Sequence, residues 1–188
     1  MTIRIALAQV TSTDDVAENL ATIDDYTTRA ATDGARLVVF PEAMMRCFGG
    51  ASLAEIAQPL DGPWATAVRA IAERAGITVT AGMFTPADDG RVRPTSWGAG
   101  PGKVEHWELL ARARALDTTT FVAACDQAPP ADYHGSAPRG VGHSLVAAPD
   151  GRVLESLGDE PDLLIVDIEL DVVDAVRRSL PVLANRRM

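Results

Sequence analysis

Short apolar runs alternate with stretches of helical spacing over the first forty residues. Ile3 to Gln9 has apolar residues at alternate positions, which is typical of a buried strand. From Val16 the apolar residues recur at helical spacing until Gly34, and Leu37 to Phe40 is a second apolar run stopped by Pro41. The pattern therefore predicts a β-α-β unit with parallel neighbouring strands.

The same rhythm continues up to one irregular segment. The spacing predicts a short helix over Leu53 to Ala57, a longer helix over Trp64 to Ala75 and a strand over Ile77 to Met83. Pro86 to Gly102 is rich in proline and glycine and has no periodicity, so we expect a loop there.

The second half of the chain predicts one long helix, several short strands and a final helix. Val104 to Leu116 is helical, with Trp107, Leu110, Ala111 and Leu116 near one face. Gln127 to Gly142 is polar and proline-rich, which indicates a surface loop. The remaining elements are strands over Thr118 to Ala124, Ser144 to Ala148, Arg152 to Leu157 and Leu163 to Ile168, the second and third of them a hairpin, and a helix over Leu170 to Leu180.

Composition narrows the class of protein. The chain has 188 residues, 47% of them hydrophobic and 23% charged, which suits one soluble globular domain. The net charge of -9 argues against binding to nucleic acid or to an anionic membrane. No apolar run reaches transmembrane length, and the charged start is unlike a signal peptide, so we expect a cytoplasmic location.

Glu42 is the strongest candidate for chemistry. It stands directly after Pro41, at the end of the apolar run Leu37 to Phe40. Functional groups gather at the carboxyl ends of parallel strands, where a carboxylate beside apolar residues can act as a general base. From these residues alone, a surface turn glutamate or a helix cap is an equally open interpretation.

Several motifs together resemble the nitrilase superfamily of carbon–nitrogen hydrolases, and within it the amidohydrolase-type members. In chain order they are "IALAQV", Asn19, "GARLVVFPEA", "LDGPW", "IAERAGITVTAGMF", "DGRV", "SWGAGPGKVEHWELLARARALDTTTFVAACDQ" and "GHSLVAAPDGRVLESLGDEPDLLIVDIELDVVDAVRR". The resemblance implies an α/β fold, an α-β-β-α sandwich in which two sheets pack face to face between helices. It also implies a homodimer and a small amide as substrate.

In the family that the chain resembles, a glutamate, a lysine and a cysteine perform the hydrolysis. The cysteine thiolate attacks the carbonyl carbon, the lysine stabilises the oxyanion, and the glutamate takes and returns protons. Glu42 matches the glutamate, but no segment here matches "Y-x-K-x-H-L" or "C-Y-D-x-R-F-P". The resemblance breaks between Thr95 and Ser96, which predicts an incomplete sandwich lacking central strands and a helix.

Few residues are available to replace the two absent groups. Lys103 is the single lysine and matches a different position of the family, so a solvated helix-start lysine is the simpler interpretation. Cys125, at the end of a predicted strand, suits a core role. Cys47 lies in a loop near Glu42 and beside Arg46, which can lower the pKa of its thiol, and is the best substitute nucleophile.

No cofactor or metal is expected. His106, His134 and His143 have no paired spacing with each other or with the cysteines. The glycines at 98, 100 and 102 do not follow a strand and precede no GK[ST], so they form no phosphate-binding motif.

Two hypotheses remain for the chain, which we treat as one domain over 1–188 with parts 1–95 and 96–188. One is a hydrolase of small amides that is impaired by the absent segments. The other is a non-catalytic remnant or interaction subunit with the same scaffold. In either case, we expect Ile77 to Met83 and Phe121 to Ala124 to pair across the break, and the chain to associate as a homo-oligomer.

Overall fold

The computed structural model describes residues 1–50, 52–86 and 102–182. The predicted break at Thr95–Ser96 and most of the predicted loop from Pro86 to Gly102 lie outside these ranges. The strands are β1 (Thr2–Gln9), β2 (Leu37–Val39), β3 (Thr78–Thr80), β4 (Val122–Ala124), β5 (Leu145–Ala147), β6 (Val153–Ser156) and β7 (Asp162–Glu169). The helices are α1 (Val16–Thr32), α2 (Leu53–Ile56), α3 (Pro63–Ala75), α4 (Lys103–Thr118) and α5 (Asp171–Ser179).

The described strands form two sheets. Sheet A has the order β3-β2-β1-β7, and sheet B has the order β4-β5-β6. The strands β1, β2 and β3 are parallel, as the β-α-β pattern predicts, and β7 runs antiparallel to β1 over eight residue pairs from Thr2–Glu169 to Gln9–Asp162. The predicted hairpin is confirmed as the antiparallel pair β5 and β6.

Three apolar clusters separate four layers. The first lies between the helices and the outer face of sheet A, and includes Ile23, Val38 and Ile71. The second lies between the two sheets, where Leu7 meets Val146, and the third lies between α4 and sheet B. The order is therefore helices, sheet A, sheet B and helix, which confirms the predicted α-β-β-α sandwich.

Two predictions around α4 are wrong in detail. The strand predicted to start at Thr118 begins only at Val122, because α4 continues to Thr118 and the left-handed Thr119 (φ 48°) then turns the chain. The predicted apolar face is also wrong, since Leu110 and Leu116 are largely exposed. The small residues Ala111 and Ala115 face sheet B instead, and short side chains let a helix lie close to a sheet.

The expected pairing across the break is wrong. β3 is the last strand of sheet A and β4 is the last strand of sheet B, so the two strands belong to different layers. Each is hydrogen-bonded to one neighbouring strand among the described residues, β3 to β2 and β4 to β5. β3 is also shorter than the predicted strand from Ile77 to Met83. The sheets are not joined into one because each keeps its own inner face.

Candidate active site

Glu42 lies at the carboxyl ends of β2 and β3, as predicted. The Phe40 amide donates a hydrogen bond to the Thr80 carbonyl at 2.8 Å, and the Gly82 amide donates to the Pro41 carbonyl at 3.3 Å. A Cβ atom at Gly82 would lie 1.6 Å from the Glu42 carbonyl oxygen, so a side chain does not fit there. This close approach of two backbones fixes the position of Glu42.

The turn that carries Glu42 is buried, whereas the residue itself is exposed. Pro41, Ala43 and Met44 are all buried beside it. Glu42 has a polar or electrostatic partner besides those described below. The arrangement therefore presents one carboxylate from a rigid, apolar support at the end of the parallel strands.

Asn19 braces the loop on the other side of the turn. Its Nδ2 donates to the Thr13 carbonyl at 2.9 Å and to the Met45 carbonyl at 3.4 Å, and its Oδ1 accepts from the Thr13 amide at 2.9 Å. Asn19 is almost completely buried in α1. One buried amide side chain therefore ties the start of α1 to the segment that follows Glu42.

Asp126 is a second carboxyl group that acts on the same region. It follows β4 and is buried, and burial raises its pKa from 3.8 to about 6. Hydrogen bonds from the backbone amides of Val141 and Gln127 oppose this rise, and the negative charge of Glu42 adds to it. The Val141 amide donates to Asp126 Oδ2 at 2.8 Å. Glu42 and Asp126 are thus electrostatically coupled acids at neighbouring strand ends.

Sequence reasoning missed Asp126, although a comparable pattern was available. Its carboxyl group comes directly after the apolar run "FVAAC", much as that of Glu42 follows "LVVFP". The strand order was needed to see that these two runs end near each other, because β2 and β4 belong to different sheets.

Buried glutamines join the strand ends to the loop from 127 to 142. Gln9 Oε1 accepts from the Ser144 amide at 2.8 Å, and Gln127 Oε1 accepts from the Ser12 amide at 2.8 Å. Gln9 Nε2 donates to the carbonyls of Gly158 and Glu160 at 2.8 and 2.6 Å. Satisfied buried amides of this kind hold a loop in one place.

The thiol of Cys47 is buried, and its pKa is raised. Burial is the largest cause, and Asp14, whose Oδ1 lies 3.5 Å from Cys47 Sγ, raises the pKa further. Arg139 lowers it, whereas the expected effect of Arg46 is not seen: Arg46 Nε donates to the Asp14 carbonyl at 3.0 Å. The surroundings of Cys47 therefore favour the neutral thiol over the thiolate.

Arg139 is the cation nearest to this group of residues in the geometry described. Its Nη2 donates to the Ser12 carbonyl at 3.1 Å and its Nη1 to the Phe48 carbonyl at 3.4 Å. The guanidinium carbon lies 5.1 Å from the centre of the Tyr133 ring. Arg139 thus connects the loop after Glu42 to the loop after β4.

Cys125 and Lys103 lie in structural positions. The Cys125 thiol donates to the Ala8 carbonyl at 3.4 Å, packs with the cluster between the sheets, and has a pKa raised first of all by burial. Lys103 is the first residue of α4, which packs on the outer side of sheet B. Within residues 1–50, 52–86 and 102–182, no group of histidine, cysteine and carboxylate side chains could hold a metal ion.

Comparison with known proteins identifies the family. A model of the carbon–nitrogen hydrolase family matches residues 4–100 and 92–178, which together span most of the chain. The chain belongs to the carbon–nitrogen hydrolase family. The predicted membership is thereby confirmed.

The similar proteins include a close relative of similar span and amidases that match in part. A Mycobacterium tuberculosis protein named as a hydrolase is 40% identical over 267 aligned positions, covering 97% of this chain and 95% of the relative. A deaminated glutathione amidase of Escherichia coli O157:H7 is 35% identical over 96 residues, covering 51% of this chain and 34% of that protein.

A solved structure shows the same fold. Nit3 of Saccharomyces cerevisiae, a member of the nitrilase superfamily, superposes with a TM-score of 0.74 at 18% identity, covering 100% of this carbon–nitrogen hydrolase chain and 97% of Nit3. In the described part of the chain, no helix is both long enough and apolar enough to cross a membrane.

Proposed function

We propose that this chain keeps the general base of an amide-cleaving carbon–nitrogen hydrolase, Glu42, but lacks the nucleophile and the oxyanion-stabilising lysine. Hydrolysis of a small amide is then severely impaired. The observation that carries the proposal is the state of the thiols. The sequence has two cysteines, and burial raises the pKa of both. A thiolate, rather than a thiol, is the attacking species.

The alignment with the mycobacterial relative supports an absent segment. It spans 267 positions, whereas 97% of the 188 residues of this chain is about 182 residues, so about 85 positions have no counterpart here. The two matches to the family model meet within residues 92–100, around the Thr95–Ser96 junction. An insert of that size accommodates several strands and a helix.

The consequence for chemistry follows from the first step of the reaction. Attack on the amide carbonyl needs a nucleophile, and the negative oxygen that develops needs a positive group beside it. The exposed carboxylate of Glu42 is suited to take a proton, but in this chain it has no matched thiol to deprotonate. Loss of a covalent nucleophile costs on the order of 10⁶ in rate.

Incubation of the purified chain with a panel of small amides tests this proposal. We expect neither ammonia release nor a mass increase in the intact protein, because no acyl-enzyme forms. Cys47→Ala and Cys125→Ala variants are the matched controls. A mass increase that disappears in Cys47→Ala and persists in Cys125→Ala would make Cys47 the nucleophile and overturn the proposal.

A second function is favoured by the free strands β3 and β4, which suit an interaction subunit rather than an independent enzyme. This function keeps the other expectations from the family: a single domain over 1–188, a cytoplasmic location and association into a homo-oligomer. Size-exclusion chromatography with light scattering measures the last of these directly.

A further inference from the structure

The inner face of sheet A is covered unevenly. Over β1 it is closed by sheet B, since Leu7 is fully buried and the Cys125 thiol reaches the Ala8 carbonyl at 3.4 Å. Farther along the sheet, Leu37 and Val39 are only half-buried, and Thr78 on β3 is exposed. Sheet B therefore ends above β1 and leaves the side of β2 and β3 open.

The open region combines a cavity with free strand edges. A cavity of about 860 Å³ adjoins the amino ends of β1, β2 and β3, and Ile3, Leu37 and Thr78 are among its lining residues. β3 and β4 are the end strands of their sheets on this side. We call the inner side of β2 and β3, together with the outer edge of β4, the open face. Unpaired edges and half-buried apolar side chains are the features that bind an added strand.

We propose that the open face binds a separate polypeptide that supplies the inner strands which this chain lacks. This inference rests on the proposed function, in which the lysine and cysteine segments are absent from the chain. The bound segment would extend sheet B from β4 across β2 and β3 by backbone hydrogen bonding. It would also carry the absent lysine and cysteine to the end of the sheet where Glu42 stands.

The length and position of the gap indicate this occupant. About 85 aligned positions of the mycobacterial relative have no counterpart here, which is enough chain for several strands. The two family matches meet at 92–100, between β3 and α4, and therefore between the two strands that border the open face. A second copy of this chain is a poorer occupant, because it lacks the same strands and both copies carry a net charge of -9.

Co-expression of the full chain with the affinity-tagged segment of the mycobacterial relative that fills the gap tests the proposal. We expect the two polypeptides to co-purify as a one-to-one complex. A Thr78→Lys variant should bind the segment at least about tenfold more weakly, because a charged amine would be buried against apolar strands. Thr28→Lys, an exposed threonine on α1, is the matched control and should bind normally.

Association is measured without reference to activity, so the two proposals can fail separately. Absence of a complex, or equal loss of binding in both variants, overturns the docking proposal. Self-association of the chain that Thr78→Lys abolishes makes a second copy the occupant and also overturns it. Should Thr78→Lys lose its far-UV circular dichroism, hydrogen exchange on the unaltered chain decides: the segment must protect the amides of Val79 and of β4. Ammonia release by the chain alone would instead overturn the proposed function.

Discussion

The carboxyl ends of β1 to β3 and the open face are a few residues apart on the same strands, yet they are built differently. At the strand ends, buried side chains such as Asn19 and Gln127 satisfy the backbone groups around Glu42. On the open face, Leu37 and Val39 are half-buried and β3 has a free edge. The difference teaches that the chain retains the support of a catalytic base while lacking part of the layer that should cover it.

The largest effect is expected at Gly82, which the strand-end region cannot replace. Gly82→Ala should lower the free energy of unfolding by about 3 kcal/mol or more, because its Cβ would collide with the Glu42 carbonyl. Gly158→Ala, with nothing within 4 Å of the added Cβ, should stay within about 0.5 kcal/mol of the wild type. Urea denaturation measures both. Equal effects would show that the approach of the two backbones is not tight.

A neighbouring pair on β2 compares the two faces of sheet A directly. Val38 is fully buried against the helices, and Val39 points to the half-covered inner face. Val38→Ala should cost about 2–3 kcal/mol, the transfer of two methyl groups plus a cavity, and Val39→Ala about 1 kcal/mol. The measurement is the shift in denaturation midpoint. Similar costs for the two variants would mean that the inner face is as well covered as the outer one.

Sequence patterns predicted the layers better than they predicted what each layer covers. The β-α-β rhythm and the family motifs gave the sandwich, and the position of Glu42 after β2 followed from "LVVFPE". Helical spacing alone misplaced the buried face of α4, because Ala111 and Ala115 carry that contact rather than the leucines. Local pattern also contains no information on which sheet a strand joins, so the pairing expected between β3 and β4 and the nearness of Asp126 to Glu42 could not be judged.

The next effect concerns Asp126 and depends on pH. Between pH 3.8 and about 6 the folded protein holds a proton on Asp126 that the unfolded chain has lost, so stability falls as pH rises through this window. Asp126→Asn keeps an acceptor for the Val141 amide but removes the charge. We expect the variant to be about 1–2 kcal/mol more stable than the wild type at pH 7 and nearly equal to it below pH 4.

Denaturation curves at unit steps from pH 3 to 8 measure this difference. Asp132→Asn, which removes an exposed carboxylate from the same loop, controls for the change in net charge. Parallel pH profiles for the Asp126→Asn variant and the wild type would contradict the burial of a raised-pKa carboxyl group at this position.

The smallest effect tests whether Glu42 and Asp126 belong to one site. Because the negative charge of Glu42 raises the pKa of Asp126, Glu42→Gln should lower that pKa towards its ordinary value. The pH window in which stability falls should then end at a lower pH, and stability at pH 7 should rise slightly. Carbon-detected NMR titration of the Asp126 carboxyl group reads the shift directly. Glu55→Gln, a change at an exposed glutamate on α2, should leave the titration unchanged, since its charge does not act on Asp126. An Asp126 titration that is identical in Glu42→Gln and the wild type would separate the two carboxyl groups and would place Glu42 outside the polar region at the strand ends.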